Sequence, residues 1–149
     1  MCNHYIFNTI LLLFNKNLVK KRMERGNQYY SVEADKQKNR VNFSMTGDIP
    51  DVASVSNFES DWKATVGEVN SGFTILGDLS NCGPLPSDVE ALNQKMQGWI
   101  MQQGCSKVAQ LVGDLNVMSQ VNAFAEKSGM RDILRAFNIQ KTAIIWLDM

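Results

Sequence analysis

Polar and apolar residues alternate along two short segments of the chain, which is the pattern of strands with one buried face. Residues 29–34 alternate in part and are rich in strand-forming residues, and residues 41–45 alternate throughout, with Val41, Phe43 and Met45 on one side. The polar residues 36–39 between them are typical of a turn. This part of the chain therefore predicts a β-hairpin.

Farther along, apolar residues recur every three or four positions, as on the buried face of a helix. Asp51 stands before the first such stripe, and Gly72, Gly104 and Gly129 follow the first, second and third. A fourth, short helix is predicted at 142–147. The three longer stripes consist of Val52, Val55, Phe58, Trp62, Val66 and Val69; of Val89, Leu92, Met96, Trp99 and Ile100; and of Val117, Met118, Val121, Phe124 and Ala125.

Short runs of strand-forming residues separate these helices, at 73–76, 107–112 and 133–137. Together with the hairpin they give the element order ββαβαβαβα. Such an order requires a mixed β-sheet with right-handed crossovers and helices packed on the sheet. Because the chain has 149 residues and no internal repeat, it predicts a single α/β domain.

The strand at 73–76 and the loop after it are where function is expected first, because ligands of open α/β sheets meet the carboxyl ends of the strands. We expect Asp78 to end this strand and residues 81–86, which include two prolines, to form a loop. Ser87, with Glu90 three residues later, has the spacing of a capping box. Ser87 is therefore predicted to be the N-cap of the second helix.

Charge divides the chain into two unequal parts. Residues 1–28 carry a net charge of +4 and the remaining residues carry −4. The apolar run at 10–14 is too short to span a bilayer, and basic residues follow it, whereas in a secretory signal they precede it. We interpret 1–28 as an atypical N-terminal segment and 29–149 as the domain. The segment is a membrane-surface anchor, a disordered tail, or the result of a start codon assigned upstream of the true one at Met23, which is the interpretation we favour.

Few residues of the domain are suited to catalysis. His4 is the only histidine, so residues 29–149 can supply neither a Ser/His/Asp triad nor a Cys/His pair. Three cysteines without C-x-x-C spacing argue against a disulfide framework and a zinc site, and favour a reducing cytoplasm. The glycines match no phosphate-binding or dinucleotide motif, and the acidic body lacks the basic face that nucleic acid needs. We therefore expect a non-enzymatic, cytoplasmic protein that uses no cofactor or metal and does not bind nucleic acid.

Three aspartates and Cys82 could suggest a metal site or a reactive thiol, but a structural role explains them more simply. Asp78, Asp88 and Asp114 stand at predicted strand ends or helix starts, where aspartate more often caps the backbone than binds a cation. Cys82 has no basic neighbour in the sequence to lower the pKa of its thiol. We expect it to be an unreactive loop cysteine.

Four short motifs are distinctive: GFTILGDLSN at 72–81, LVGDLNVMSQ at 111–120, KSGM at 127–130, and A-x-x-W-L at 143–147. They resemble the SpoIIAA-like family of small bacterial proteins, which is related to STAS domains. The resemblance covers residues 29–149 and implies a STAS-like fold. In the anti-sigma factor antagonists of that fold, a partner kinase phosphorylates a serine nine residues after the strand-end aspartate. Ser87 holds that position, although Pro86 and Asp88 depart from the usual context.

Two hypotheses about function follow. The first is a STAS-like regulatory module that binds a protein partner through the loop and helix after the central strand. The second is a carrier or sensor of a small apolar, lipid-like ligand between the second and third helices, since methionine suits adaptable pockets; core packing is the other interpretation of these residues. The candidate residues are Asp78, Ser80, Asn81, Cys82, Ser87 and Asp88 for the partner, and Met96, Trp99, Met118 and Phe124 for the ligand, with Met101 and Met130 in the same methionine-rich set. The oligomeric state stays open, with a homodimer as one option.

Overall fold

The computed structural model of this chain describes residues 24–127 and 129–149. In that part of the chain, six strands and four α-helices alternate much as the sequence predicts. The strands are β1 (Glu24–Gly26), β2 (Tyr30–Asp35), β3 (Arg40–Gly47), β4 (Thr74–Cys82), β5 (Lys107–Leu111) and β6 (Leu134–Phe137). The helices are α1 (Phe58–Val66), α2 (Ser87–Gln102), α3 (Leu115–Lys127) and α4 (Gln140–Leu147), and a 3₁₀ turn, Val52–Val55, precedes α1.

The strands lie side by side in the order in which they follow along the chain. The first three strands are antiparallel neighbours, and β3 to β6 are parallel. The predicted hairpin is β2–β3, with Tyr30 opposite Met45. Asn39 in its turn has a left-handed φ of 50°, which asparagine tolerates better than most residues. The fold is thus α/β with a mixed sheet, as predicted, and β1 adds a strand before the hairpin.

The two faces of the sheet are covered by different helices. On the first face, α1 and α2 bury the larger core, which includes Phe58, Phe73 and Met96. On the second face, α4 packs Trp146 and Leu147 against the strands. Because α4 covers β4, β5 and β6, the polar side chains on the second face of β2 and β3 stay exposed or half-buried, with the exception of the buried Arg40.

Helix α3 packs on β6, the last strand of the sheet. The side-chain amide of Asn122 accepts a hydrogen bond from the Ala136 backbone N–H (2.8 Å) and donates one to the Ala136 carbonyl (3.2 Å). The amide therefore bonds the edge of β6 as a neighbouring strand would, which protects an otherwise open edge.

Two of the predicted element boundaries are wrong. The stripe after Asp51 is not one helix, because Asp51 caps the separate 3₁₀ turn through Ser54 N–H. Helix α1 starts only at Phe58 and ends at Val66, before Val69 and Gly72. Asp78 does not end the central strand, because β3 pairs with β4 as far as Cys82, which lies opposite Gly47. Asn81 and Cys82 are therefore strand residues rather than loop residues.

The predicted capping box at the start of α2 is also wrong. Ser87 is the first residue of the helix, Pro86 occupies the N-cap position, and no side chain caps the helix there. Asp88 stabilises this end instead, because its carboxylate accepts hydrogen bonds from the backbone N–H of Val89 (2.8 Å) and of Val52 (3.0 Å). The start of α2 is thereby joined to the 3₁₀ turn.

Part of the predicted N-terminal segment belongs to the sheet. Residues 1–23 lie outside the described residues, but β1 pairs with β2, and Arg25 Nη1 lies 2.7 Å from Glu68 Oε2. No helix in the described ranges has both the length and the apolar character needed to cross a membrane.

Candidate functional site

A pocket of about 120 Å³ opens on the first face of the sheet, between α2 and the segment that leads from Met130 into β6. The parallel strands form its floor, and residues of α1 and α2 form one wall. Its lining is largely apolar. It consists of Phe43, Trp62, Ile75, Gly77, Leu79, Asn93, Met96, Gln97, Ile100, Met101, Val108, Gln110, Met130, Ile133 and Leu134.

Two residues on the floor of the pocket differ from the apolar positions around them. Gly77 on β4 and Gln110 on β5 lie directly opposite each other in the parallel pairing. A Cβ atom on Gly77 would be 3.7 Å from Phe43 Cδ1 and 3.8 Å from the Ala109 carbonyl, both ordinary contact distances. The half-buried side-chain amide of Gln110 makes no hydrogen bond to the described part of the chain. The floor therefore combines empty space with an available amide.

The wall beside α1 is aromatic. The Phe43 and Trp62 rings have centroids 5.0 Å apart, and Phe58 packs edge-on against Phe43. Trp62 is almost completely buried, and its Nε1–H finds no acceptor among residues 24–127 and 129–149. Rings held against one another in this way have little freedom to move, so this wall has a fixed shape.

The methionines of the lining come from α2 and from the segment that precedes β6. Met96 on α2 is buried, whereas Met101 and Met130 are half-buried. Unbranched thioether side chains adjust to different shapes at low cost. The pocket can therefore adapt its shape to a ligand at these methionines, while the aromatic wall stays fixed.

Among the described residues, the lining has no ionisable side chain, and its polar groups are the neutral amides of Asn93, Gln97 and Gln110. A charged ligand would lose its hydration without gaining an ion pair, which is strongly unfavourable. The part of the lining that the structure describes also offers no acid, base or nucleophile. Its chemistry suits the binding of an uncharged, mainly apolar group.

The predicted ligand residues are only partly gathered at this pocket. Met96 lines it, as do Met101 and Met130 of the methionine-rich set. Trp99 points elsewhere on α2, where Lys63 Nζ lies 5.8 Å from its ring centroid. Met118 is half-buried on α3 and is not part of the lining, and the side chain of Phe124 lies outside what the structure describes.

Gly77 and Gln110 are the pocket residues that sequence reasoning missed. A signal for Gly77 was present, because a glycine inside a strand often marks a place that another group approaches closely. Gln110 gave a weaker signal, as a polar residue in an otherwise apolar strand. Neither signal reveals that the two positions are paired.

The predicted partner residues do not form one surface. Asp78 lies on the second face of the sheet, in a polar hollow of about 370 Å³ that Ser31, Asn42 and Ser44 also line. Ser80 and Asn81 are exposed on the projecting end of β4. Of the other three, Cys82 is half-buried at the end of β4, and Ser87 and Asp88 are exposed at the start of α2.

The surroundings of the aspartates and cysteines indicate structural roles rather than chemical ones. Asp78 and Asp114 each accept a hydrogen bond from the backbone N–H two residues ahead, at Ser80 (3.0 Å) and Asn116 (2.7 Å). Burial, together with the nearby charge of Asp48, raises the pKa of the Cys82 thiol, and burial raises the pKa of Cys105 to about 11. Neither thiol is therefore activated as a nucleophile.

Comparison of the chain with models of known protein families, with curated proteins and with solved structures finds no match.

Proposed function

We propose that this chain is a non-enzymatic binding module that takes up a small, uncharged, apolar ligand in the pocket beneath α2. The observation that carries the proposal is the presence of a glycine, Gly77, at the floor of the pocket. It is a buried glycine in the middle of a central strand, at a position where the neighbouring atoms leave room for a methyl group.

Glycine is an unfavourable residue for such a position if packing alone decides. It lowers the stability of a strand because the unfolded chain has more freedom to lose, and replacement by alanine without strain raises stability by about 0.4–1 kcal/mol. The backbone of Gly77 does not have a positive φ that would require glycine. Open space at the pocket floor is therefore the feature that glycine supplies.

The size of the pocket limits the ligand. A cavity of about 150 Å³ lined by apolar side chains can hold a benzene-sized molecule. The volume here, about 120 Å³, suits a single ring or a short branched chain, or one end of a longer molecule that continues past Gln97 and Met130 at the rim.

Methionine methyl groups provide a direct test. The full chain is labelled with ¹³C at the methionine methyls and titrated with toluene. We expect the signals of Met96, Met101 and Met130 to shift, and that of Met118 to stay unchanged. The substitution Gly77→Val should weaken binding at least tenfold, because its methyl groups occupy the floor.

Gly98→Ala is the matched control, since Gly98 lies on α2 with open space around it and does not line the pocket. It should leave the titration unchanged. Lining methionines that do not respond to saturating toluene, or a response that Gly77→Val leaves intact, would contradict the proposed function.

A second candidate, binding of a protein partner, is favoured by the shape of β4. The last pair between β4 and β5 is Asp78 with Leu111, so residues 79–82 project beyond β5 with Ser80 and Asn81 exposed. The exposed side chains of this strand end are available to a partner, whereas the Ser80 backbone N–H is already bonded to Asp78 Oδ1. We propose that any protein partner binds at this strand end, and that phosphorylation of the exposed Ser87 would regulate the binding. The N-terminus of α2 would attract the negative charge of the phosphate, whereas the carboxylate of Asp88 would repel it.

The finer fold proposal is a STAS-like domain in the cytoplasm. Its support is the mixed sheet with helices between parallel strands, together with the four motifs. A pull-down with Ser80→Arg/Asn81→Arg would test the partner. A protein retained by the wild type and by Gly77→Val, but lost with the double variant, would support this second candidate, whereas retention by all three would contradict it.

A further inference from the structure

We propose that Gln110 selects the ligand, so that the pocket prefers a ring bearing one neutral hydrogen-bonding group, such as a hydroxyl, over an otherwise similar apolar ring or a carboxylate. This inference rests on the proposed function and concerns the same pocket.

The surroundings of Gln110 leave its amide free to meet a ligand. Its neighbours on the same face are Gly77 on β4 and Ala136 on β6, which have the two smallest side chains available. Gln110 therefore stands between two positions that cannot cover it. The Asn122 amide, which packs near β6, already bonds the Ala136 backbone and does not compete.

The amide also lacks hydrogen bonds of its own. Across the described residues, no donor or acceptor bonds the Gln110 side chain, although it is half-buried among Val108, Leu134 and other apolar groups. The amide is not sealed from water, because Trp62 Nε1 is the only fully buried side-chain N or O atom without a partner among the described residues. A ligand that covers the amide must therefore supply a partner or leave it unpaired, which is unfavourable. A glutamine offers both a donor and an acceptor, so a hydroxyl or amide on the ligand can be satisfied in either direction.

The charge of the lining sets the other limit. Because no cationic side chain from residues 24–127 and 129–149 lines the pocket, a carboxylate would be buried there without an ion pair. Hydroxyl and carboxamide groups need no such partner. The selected class is therefore neutral.

Toluene, phenol and benzoate form a matched set of probes for the test, since they share the ring and differ in one substituent. Dissociation constants are measured from the methionine methyl shifts for the wild type and for Gln110→Leu. We expect the ratio of the phenol constant to the toluene constant to rise about three- to tenfold in Gln110→Leu, the effect of losing one neutral hydrogen bond. Benzoate should bind the wild type at least tenfold more weakly than phenol.

Two further variants keep the result interpretable. Gln110→Met serves if Gln110→Leu does not fold, and Gln94→Leu, an exposed change on α2 outside the pocket, should leave the ratio unchanged. If toluene binds but the ratio stays the same in Gln110→Leu, the role of Gln110 is overturned while the proposed function stands. If benzoate binds as well as phenol, selection for a neutral group is overturned. If no probe shifts the lining methionines, the proposed function itself fails.

Discussion

Arg40 on β3 donates a hydrogen bond from Nη2 to Asp148 Oδ1 over 2.7 Å, across 108 positions of sequence. The guanidinium is only 4% exposed, and its Nε–H also bonds Thr74 Oγ1 on the neighbouring strand (2.9 Å). A buried cation that loses its carboxylate is strongly destabilising. The pair therefore joins the residue after α4 to the middle of the sheet.

Asp148→Asn should lower the urea midpoint at pH 7. The hydrogen bond from Arg40 lowers the pKa of Asp148. A lowered folded-state pKa gives stability that is present above the unfolded value of about 3.9 and is lost as the pH falls. The difference between variant and wild type should thus shrink towards pH 3, as followed by circular dichroism. Asp132→Asn, which changes an exposed carboxylate, is the control and should leave the urea midpoint unchanged. Equal midpoints for Asp148→Asn and the wild type at pH 7 would refute the prediction.

Tyr30→Phe should lower the free energy of unfolding by about 1.5–3 kcal/mol, the range for a hydrogen bond to a charged group. The buried Tyr30 hydroxyl donates to Asp61 Oδ2 on α1. Urea unfolding at pH 7 measures the change. Tyr29→Phe is the control, because the Tyr29 hydroxyl makes no hydrogen bond to the described residues; a similar loss in both variants would argue against the bond as the cause.

Tyr30 should also make the free energy of unfolding decrease at alkaline pH. Burial, with the Asp61 hydrogen bond, raises the pKa of Tyr30. A raised folded-state pKa gives stability that is present below the unfolded value of about 10 and is lost as the pH rises above it. The wild type should therefore lose stability between pH 9 and 11 more steeply than Tyr30→Phe. Parallel curves would show that Tyr30 does not contribute.

Asn122→Ala should open the edge of β6. The change removes both bonds to the Ala136 backbone, so the Ala136 amide should exchange with deuterium about fivefold faster, since one hydrogen bond is worth about 1 kcal/mol. Exchange mass spectrometry on the β6 peptide measures this. Asn116→Ala, on the same helix with no side-chain bond of its own in the described residues, should leave the rate unchanged.

Cys82 and Cys105 should react with iodoacetamide more slowly in the folded protein than in the unfolded chain. Because burial raises the pKa of Cys105 to about 11, its thiolate is scarce at pH 8, and it should react at least a hundredfold more slowly in the native chain than in urea. Cys82, which is half-buried, should react before Cys105. Peptide mass spectrometry gives both rates, and equally fast modification of Cys105 in the two states would contradict its burial.

Several elements were predictable because their signals are local. The alternation of Val41, Phe43 and Met45 does mark one face of β3, although Phe43 is only half-buried beside the pocket. Gly104 follows α2 with a φ of 93°, and Gly129 follows α3 with a φ of 74°, so both end helices where a residue with a side chain would be strained. Periodicity and backbone preference act within a few residues, and a sequence displays them directly.

Tertiary structure decided where β4 ends and what the pocket contains. The extension of β4 to Cys82 depends on pairing with Gly47, 35 positions away, and no local preference of Asp78 or Asn81 reveals it. Likewise, Gly77 and Gln110 share a floor only because the β4–β5 register sets them opposite each other. Local sequence patterns specified the kinds of element and their order from the hairpin onward, whereas β1 was missed. Strand register and helix placement, which follow from packing between distant segments, decided which side chains surround the pocket.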